Sequence, residues 1–324
     1  MKAIGIILAG GNNNRMKELT AKLAVPALPV AGSFRSIDFA LSSMSNSHIQ
    51  TVAVLTQYNA RSLNEHLSSS KWWNFGRKQG GLFLFTPTVT ADNSDWYRGT
   101  ADAMYQNIDF LKRRHEPYVI ISSGDCVYKL DFNRVLDFHI EKKSDITVVC
   151  KDMMYNDDVS RFGVVRMDDE SRITEFDEKP IEALSNTIST GIYVIRRRQL
   201  IELLEAAAEE NRFDFVNDIL VRYKNVKKIY GYKINSYWNN IADIDAYFKT
   251  NMDFLRPDVR SYFFREEPTI CSKVDDLPPA KFNPGSDISN SLVSSGCIIN
   301  GSVEDSVLFK QVFVGKNTTV KNCV

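Results

Sequence analysis

Short runs dense in Val and Ile alternate along the first half of this chain with longer segments of helical period, and that alternation restricts the fold more than any other feature. AIGIILA (3–9), TVAVLT (51–56), YVIISS (118–123) and DITVVC (145–150) have the β-branched content and the length of buried strands. Between them SIDFALSSMSNS (36–47), TADAMYQNIDFLKRR (100–114) and FNRVLDFHIEKK (132–143) space apolar residues three or four apart, as helices resting on a sheet do. Strand, helix, strand in succession predicts a mostly parallel, doubly wound α/β sheet with ligands at the carboxyl ends of the strands. From about residue 160 the texture changes to RFGVVRM, RITEFDE and STGIYVI, expected as antiparallel strands forming a lid or side sheet over that edge. DIDAYFKTNMDFL (243–255) is expected to close this first domain as a helix.

Residues 256–286 hold five of the ten prolines and little periodicity, which predicts a linker crossing a surface. Beyond it apolar residues recur six apart, Leu292 and Ile298, then Leu308, Val314 and Val320, with Gly and Asn between them. That period predicts a hexapeptide repeat wound as a parallel β-helix, against the plainer alternative of an edge-strand meander. The expected division is therefore 1–255, a linker at 256–286, and a β-helix at 287–324. About two coils stack in the tail, so it is expected to pack on the first domain or another subunit, with a third coil missing.

Composition narrows the partners. Forty basic and forty acidic residues cancel, which removes the long-range field that nucleic acid or an anionic membrane would require. The apolar N-terminal run is too short for a membrane span and lacks the flanks of a secretory signal, so a cytoplasmic location is expected. Five scattered cysteines without CxxC spacing disfavour a disulfide framework or a zinc knot. All four histidines precede residue 140, so the tail has none for acyl transfer, and no Gly-Lys-Ser/Thr phosphate loop is present.

Gly10 and Gly11 directly follow the first strand, where a glycine turn lets backbone N–H groups approach a phosphate chain; Arg15 can add a charge-assisted fork. Such a turn is as often purely structural. Asn12, Asn13 and Asn14 put side chains into the space a phosphate would need. Asp125 lies at the end of a buried strand, placed to hold Mg²⁺ against a phosphoryl group or simply to make a turn.

In order along the chain, LAGG with Arg15, FRSIDFALSSMSNS (34–47), VLTQYNARSLNEH (54–66), WYRGTADAMYQN (96–107), SGDCVYKLD (123–131), RFGVV (161–165), FDEKP (176–180), STGIYVI (189–195) and the hexapeptide tail resemble bacterial ADP-glucose pyrophosphorylase, the glucose-1-phosphate adenylyltransferase family. The resemblance covers essentially the whole chain. It implies a Rossmann-like doubly wound nucleotidyltransferase domain followed by a short left-handed parallel β-helix. It further implies Mg²⁺-assisted transfer of adenylyl from ATP to glucose 1-phosphate, supplying glycogen synthesis. The sugar-phosphate site carried over by motif comprises Tyr97, Gly163, Glu178, Lys179 and Ser189, with Lys179 neutralising the substrate phosphate.

The departures fall on the ATP side. In the family's G-x-G-T-R loop the second glycine and the threonine are here Asn13 and Asn14; the lysine of a Lys-Pro-Ala segment is Val25; and the second metal aspartate of a Trp-x-Asp-Val-Gly pattern is Asn240. Asp125 would thus face an amide in place of a carboxylate, making Mg²⁺ binding by this chain doubtful. Better preservation of the sugar-phosphate side suits the regulatory subunit that accompanies a catalytic one in a hetero-tetramer. The alternatives are a weakly active sugar-phosphate nucleotidyltransferase and a pure sugar-phosphate or effector sensor with no enzyme partner; glucose 1-phosphate, ATP and a small-molecule effector are the candidate ligands. Arg35 and the basic residues of the linker and tail are candidates for an anionic effector cleft, or are solvated surface.

Overall fold

In the computed structural model, residues 2–11, 14–76, 80–88, 95–154 and 157–324 are described. The strand Ala3–Ala9 lies between Thr51–Thr56 and Tyr118–Ser123, parallel to both, and Gly81–Phe85 extends the parallel set beyond Thr51–Thr56. Side chains alternate faces along a strand. Ala3, Ile7 and Ala9 face one way, into a core with Ile37, Ala40, Leu41 and Met44 of the helix Ser36–Asn46. Ile4 and Ile6 face the other way, against Met104 of Thr100–Gln106 and Leu200, Leu203 and Leu204 of Arg197–Glu209. Helices cover both faces, so the first strand is apolar on both sides. Gly5 is the exception that lets a helix close in: a Cβ there would sit 2.4 Å from Met44 Sδ.

The structure places STGIYVI in the heart of the sheet, where a lid or side sheet was expected. Thr187–Arg196 pairs along one edge with Ile146–Asp152, and on the other it runs antiparallel to Tyr118–Ser123 over Ile192–Arg196 and meets Gly163–Met167 at Ile188. Ile229–Lys233 and Ile173–Glu178 complete nine strands. Its burial on both faces explains the position: an unbroken apolar run fits a covered strand, whereas a lid would alternate. The helix expected over 100–114 breaks at Asn107, whose side-chain N–H donates to the Ala103 carbonyl (2.9 Å) and the Tyr97 hydroxyl (2.9 Å), leaving Thr100–Gln106 and Ile108–Lys112.

The proline-rich stretch 256–286 contains a helix, Pro257–Phe264, that the lack of periodicity concealed. Pro257 stands at its start, where a missing N–H costs nothing. Phe263 is fully buried edge-on to Phe39 and Tyr237, each at 5.3 Å. The chain beyond is pinned as well, since the Cys271 carbonyl accepts from Trp73 Nε1 (3.1 Å) and Ser42 Oγ (3.1 Å).

The tail forms three short parallel sheets of three, three and two strands, the parallel β-helix expected. Its phase is corrected in the first coil, because Ile299 faces inward and Ile298 is 40% exposed. Ile288 aligns with Val303, Val293 with Leu308 and Ile299 with Val314. These three steps are fifteen residues, while Lys281 to Ile298 and Val303 to Val320 are seventeen; both are shorter than the eighteen or so that three full hexapeptides need, so a strict six-residue count falls out of phase.

His139 on the helix Phe132–Glu141 is 1% exposed, and its Nδ1 meets Thr147 Oγ1 at 2.8 Å. Burial, reinforced by Arg196, lowers its pKa from the ordinary 6.5 to about 4. Between those values the unfolded chain takes up a proton that the folded chain refuses, so the His139 contribution to stability falls as pH drops from 6.5 toward 4, by about 3 kcal/mol in all. Urea melts across that range should show a shallower pH dependence for His139→Gln than for the parent chain. The same melts should show Phe263→Ala costing about 3–5 kcal/mol, whereas the side chain of a mere connector would cost under about 0.5 kcal/mol.

Candidate functional site

The ends of Ala3–Ala9 and Thr51–Thr56 and the turn after Tyr118–Ser123 open onto a cleft of about 500 Å³, with Gly10, Gly11, Val25, Tyr58, Tyr97 and Asp125 in its wall. One hydrogen bond sets the relation of two of these segments, from the Gly124 N–H to the Leu8 carbonyl at 2.9 Å. It places Asp125 beside the glycine turn, as the doubly wound pattern predicts. A Cβ on Gly11 would meet nothing within 4 Å, so that part of the turn is open. Asn14 begins the 3₁₀ turn Asn14–Thr20 and is exposed. Asn12 and Asn13 lie outside the described residues.

Val25 is 5% exposed and starts the short turn Val25–Ala27, packed in a cluster with Met16, Leu28 and Phe39. Its side chain gives this wall an apolar surface and no charge. Opposite, Tyr58 and Trp96 stack with ring centroids 5.8 Å apart. The Gln57 side chain fixes this region by accepting from the Tyr97 N–H at 2.6 Å and donating to the Tyr97 carbonyl at 3.4 Å.

The structure brings Asp125 and Asn240 together. Trp238–Asn240 pairs antiparallel with Cys126–Tyr128, setting Asn240 opposite Cys126, and the Ile241 N–H donates to the Asp125 carbonyl at 2.9 Å. Asn240 Oδ1 accepts from the Ala242 N–H at 2.9 Å, while its Nδ2 points at Cys126 Sγ, 3.5 Å away. Asp125 Oδ1 accepts from Ser123 Oγ at 2.5 Å. Mg²⁺ favours hard oxygen donors, usually from one or two carboxylates. Here one carboxylate stands beside an amide whose oxygen is already engaged, and this donor pair does not fit a two-carboxylate magnesium site. Burial and the Asp125 charge push the Cys126 thiol well above its usual range, so it adds no anionic ligand.

Two charged residues missed by motif reading complete this rim. Arg161, first residue of the RFGVV block, is ion-paired with Asp243 and lies over the Phe162 ring at 4.8 Å. Arg15 lines the same rim with Arg161, Asn240 and Asp243. Burial lowers the Arg161 pKa, against the pull of Asp158, and Asp125 also faces it. Three carboxylates therefore surround two guanidiniums. Nothing in the spacing of 161 and 243 announces their meeting.

The sugar-phosphate candidates gather on neighbouring strands. Gly163 pairs with Glu178, and a Cβ at Gly163 would approach Phe176 to 2.8 Å and Glu178 Oε2 to 2.9 Å, so only glycine leaves the carboxylate its place. Burial raises the Glu178 pKa; the Lys179 ammonium, 3.4 Å from its Oε1, opposes the rise. Lys179 has φ of +50°, a turn conformation that swings its exposed side chain off the strand. Ser189 is buried with its Oγ donating to Tyr193 OH at 3.3 Å. Tyr97 stands in the cleft wall; four residues on, the Ala101 N–H donates to the Phe213 carbonyl at 2.8 Å, and Asp214 of that segment acts electrostatically on both Glu178 and Tyr193.

Among the described residues no cluster of three or more His, Cys, Asp or Glu forms a metal cage, and no helix is long and apolar enough to cross a membrane. A nucleotidyl transferase family model matches residues 4–256, and a GlmU-like C-terminal hexapeptide model matches residues 278–324. A glucose-1-phosphate adenylyltransferase of Pseudothermotoga lettingae is 40% identical over 322 residues, 98% of this chain and 76% of that one. Enzymes of the same name from Clostridium beijerinckii and Geobacillus stearothermophilus are 39% and 36% identical, each over 99% of this chain and 84% and 83% of their own.

The glycine geometry is testable by paired substitutions. Gly163→Ala should destabilise the fold by about 1–3 kcal/mol through overpacking, read in urea melts. Gly11→Ala, with open space around it, should melt like the parent chain.

Proposed function

The chain belongs to the glucose-1-phosphate adenylyltransferase family, and on that premise we propose that it is a regulatory subunit, acting by assembly with a catalytic homologue and altering the rate, substrate affinity or effector response of ADP-glucose synthesis. The observation that carries this reading is Asn240. The residue beside Asp125 is an amide whose oxygen is held by the Ala242 N–H, where the resemblance implies a metal carboxylate. Val25 supports it, presenting a buried apolar surface where the resemblance implies a phosphate-binding lysine.

Magnitudes favour silence over weak turnover. Groups aimed at transition-state charge contribute about 3–4 kcal/mol each, or roughly 10²–10³ in rate. Losing a metal carboxylate and a phosphate lysine together leaves little chemistry even with strong non-additivity. The proposed role routes no step through a metal. It uses the retained sugar-phosphate groups Tyr97, Gly163, Glu178, Lys179 and Ser189 for binding, and the tail and first domain for contact with the catalytic partner in a cytoplasmic hetero-tetramer.

A second reading, a weakly active sugar-phosphate nucleotidyltransferase, draws on the retained Asp125, Arg15 and Lys179. One assay separates the two: ADP-glucose formation from ATP and glucose 1-phosphate with Mg²⁺, for this chain alone, for a catalytic homologue from the same cell alone, and for the mixture. The proposed role predicts no product from this chain alone and a changed rate or effector response on mixing; robust product from the chain alone overturns it. Restoring Asp at Asn240 and Lys at Val25, with Gly and Thr at Asn13 and Asn14, should raise turnover of the isolated chain.

A further inference from the structure

Cys126 lies between the two positions to which the resemblance assigns a metal. Its Sγ donates to Asp125 Oδ1 at 3.5 Å and stands 3.5 Å from Asn240 Nδ2. A positive charge reaches this point from Arg161, which acts electrostatically on Asp125 and on the Cys126 thiol alike. A guanidinium is thus within electrostatic reach of the place where an ion bridging residues 125 and 240 would sit.

Arg161 is held there by its own neighbours. Asp243 takes it as an ion pair, and Asp243 is itself fixed as the cap of the helix Ile244–Asp253, its Oδ1 accepting from the Ala246 N–H at 2.7 Å and its Oδ2 facing the arginine. The Phe162 ring lies 4.8 Å from the guanidinium, and Asp158 adds a second negative charge. Both side chains of the Arg161–Asp243 pair are 24% exposed, against 46% and 42% for a surface pair such as Lys112–Glu205, so solvent screens the Arg161 charge less. The charge is permanent, since a guanidinium is not deprotonated in a protein.

The amide at residue 240 does not by itself shut magnesium out, because Mg²⁺ is commonly held through one carboxylate, waters and substrate phosphates. A unit of like charge near the remaining carboxylate supplies what the amide leaves undone. We propose that Arg161 is a tethered cation in the place of the divalent metal: it balances Asp125 from within the chain and excludes magnesium from the cleft. Asn240 withholds a negative charge and Arg161 supplies a positive one, so the two act in the same direction. A carboxylate returned to residue 240 therefore brings back little metal affinity while the arginine stays, and much more once it is neutralised. The proposal rests on the family reading of residues 125 and 240 as metal positions. The subunit role is a separate matter, since a regulatory chain that binds a metal is still a regulatory chain.

The experiment titrates Mn²⁺ into the isolated full chain and reads the free ion by electron paramagnetic resonance, with urea melts checking that each variant is folded. The parent chain should show only weak, non-saturating uptake, and Asn240→Asp little more. Adding Arg161→Gln to Asn240→Asp should tighten uptake by roughly tenfold or more, and adding Asp125→Asn as well should abolish the gain. Arg161→Met, which keeps an unbranched side chain against Phe162 without the charge, is the second variant and should act as Gln does. Arg161→Lys keeps the charge and should leave the behaviour of Asn240→Asp unchanged. Saturable uptake by the parent chain that Asp125→Asn removes, equal affinity in Asn240→Asp with and without the arginine, a gain that survives Asp125→Asn, or the same gain from Lys as from Gln would overturn the proposal. None of these outcomes bears on the subunit role, which is read from ADP-glucose formation on mixing.

Discussion

Everything in the first domain depends on the parallel pairing of Ala3–Ala9 with strands on both sides. A strand buried on both faces and bonded on both edges has no freedom to slip, because a one-residue shift would turn each apolar side chain to the wrong core. That fixity carries to the strand ends, where the glycine turn and Asp125 are held in relation by a single main-chain hydrogen bond. The cleft is a product of the sheet, and its floor persists whatever the chemistry of its rim.

The rim residues turn inward in a consistent way. Val25 closes into a hydrophobic cluster, Asn240 folds back on the Ala242 N–H, and Arg161 turns to Asp243. Each group that could face a nucleotide phosphate or its metal is instead engaged within the protein. With Asp125, Asp158 and Asp243 around Arg15 and Arg161, the local field opposes a triphosphate unless a cation accompanies it. The strands that carry the sugar-phosphate candidates differ, since Lys179 projects into solvent beside Glu178 and Gly163 leaves room for that carboxylate.

How much of this was legible in the sequence follows from whether the information is local. Ala3–Ala9, Thr51–Thr56 and Tyr118–Ser123 have the bounds their Val- and Ile-rich runs predict, because strands covered on both faces are apolar throughout. Pro257–Phe264 was hidden by the prolines that surround it, and only Phe263 meeting Phe39 and Tyr237 makes it a core element. In the tail, coils shorter than three full hexapeptides put the repeat out of phase, so that Ile299 and not Ile298 faces inward. Motif order located Asp125 and Asn240, yet Arg161 with Asp243 and Gln57 with Tyr97 are contacts across long separations that no pattern of either partner alone encodes.

The helix Ser36–Asn46 touches both ends of the molecule's business. Near its start Ser36 Oγ donates to the Gly124 carbonyl (2.9 Å), one residue before Asp125, and midway Ser42 exchanges hydrogen bonds with the Cys271 backbone (2.9 and 3.1 Å). The same helix therefore ties the connector at Cys271 to the residue that precedes Asp125. One element thus serves as the common anchor of the proline-rich connector and the cleft floor.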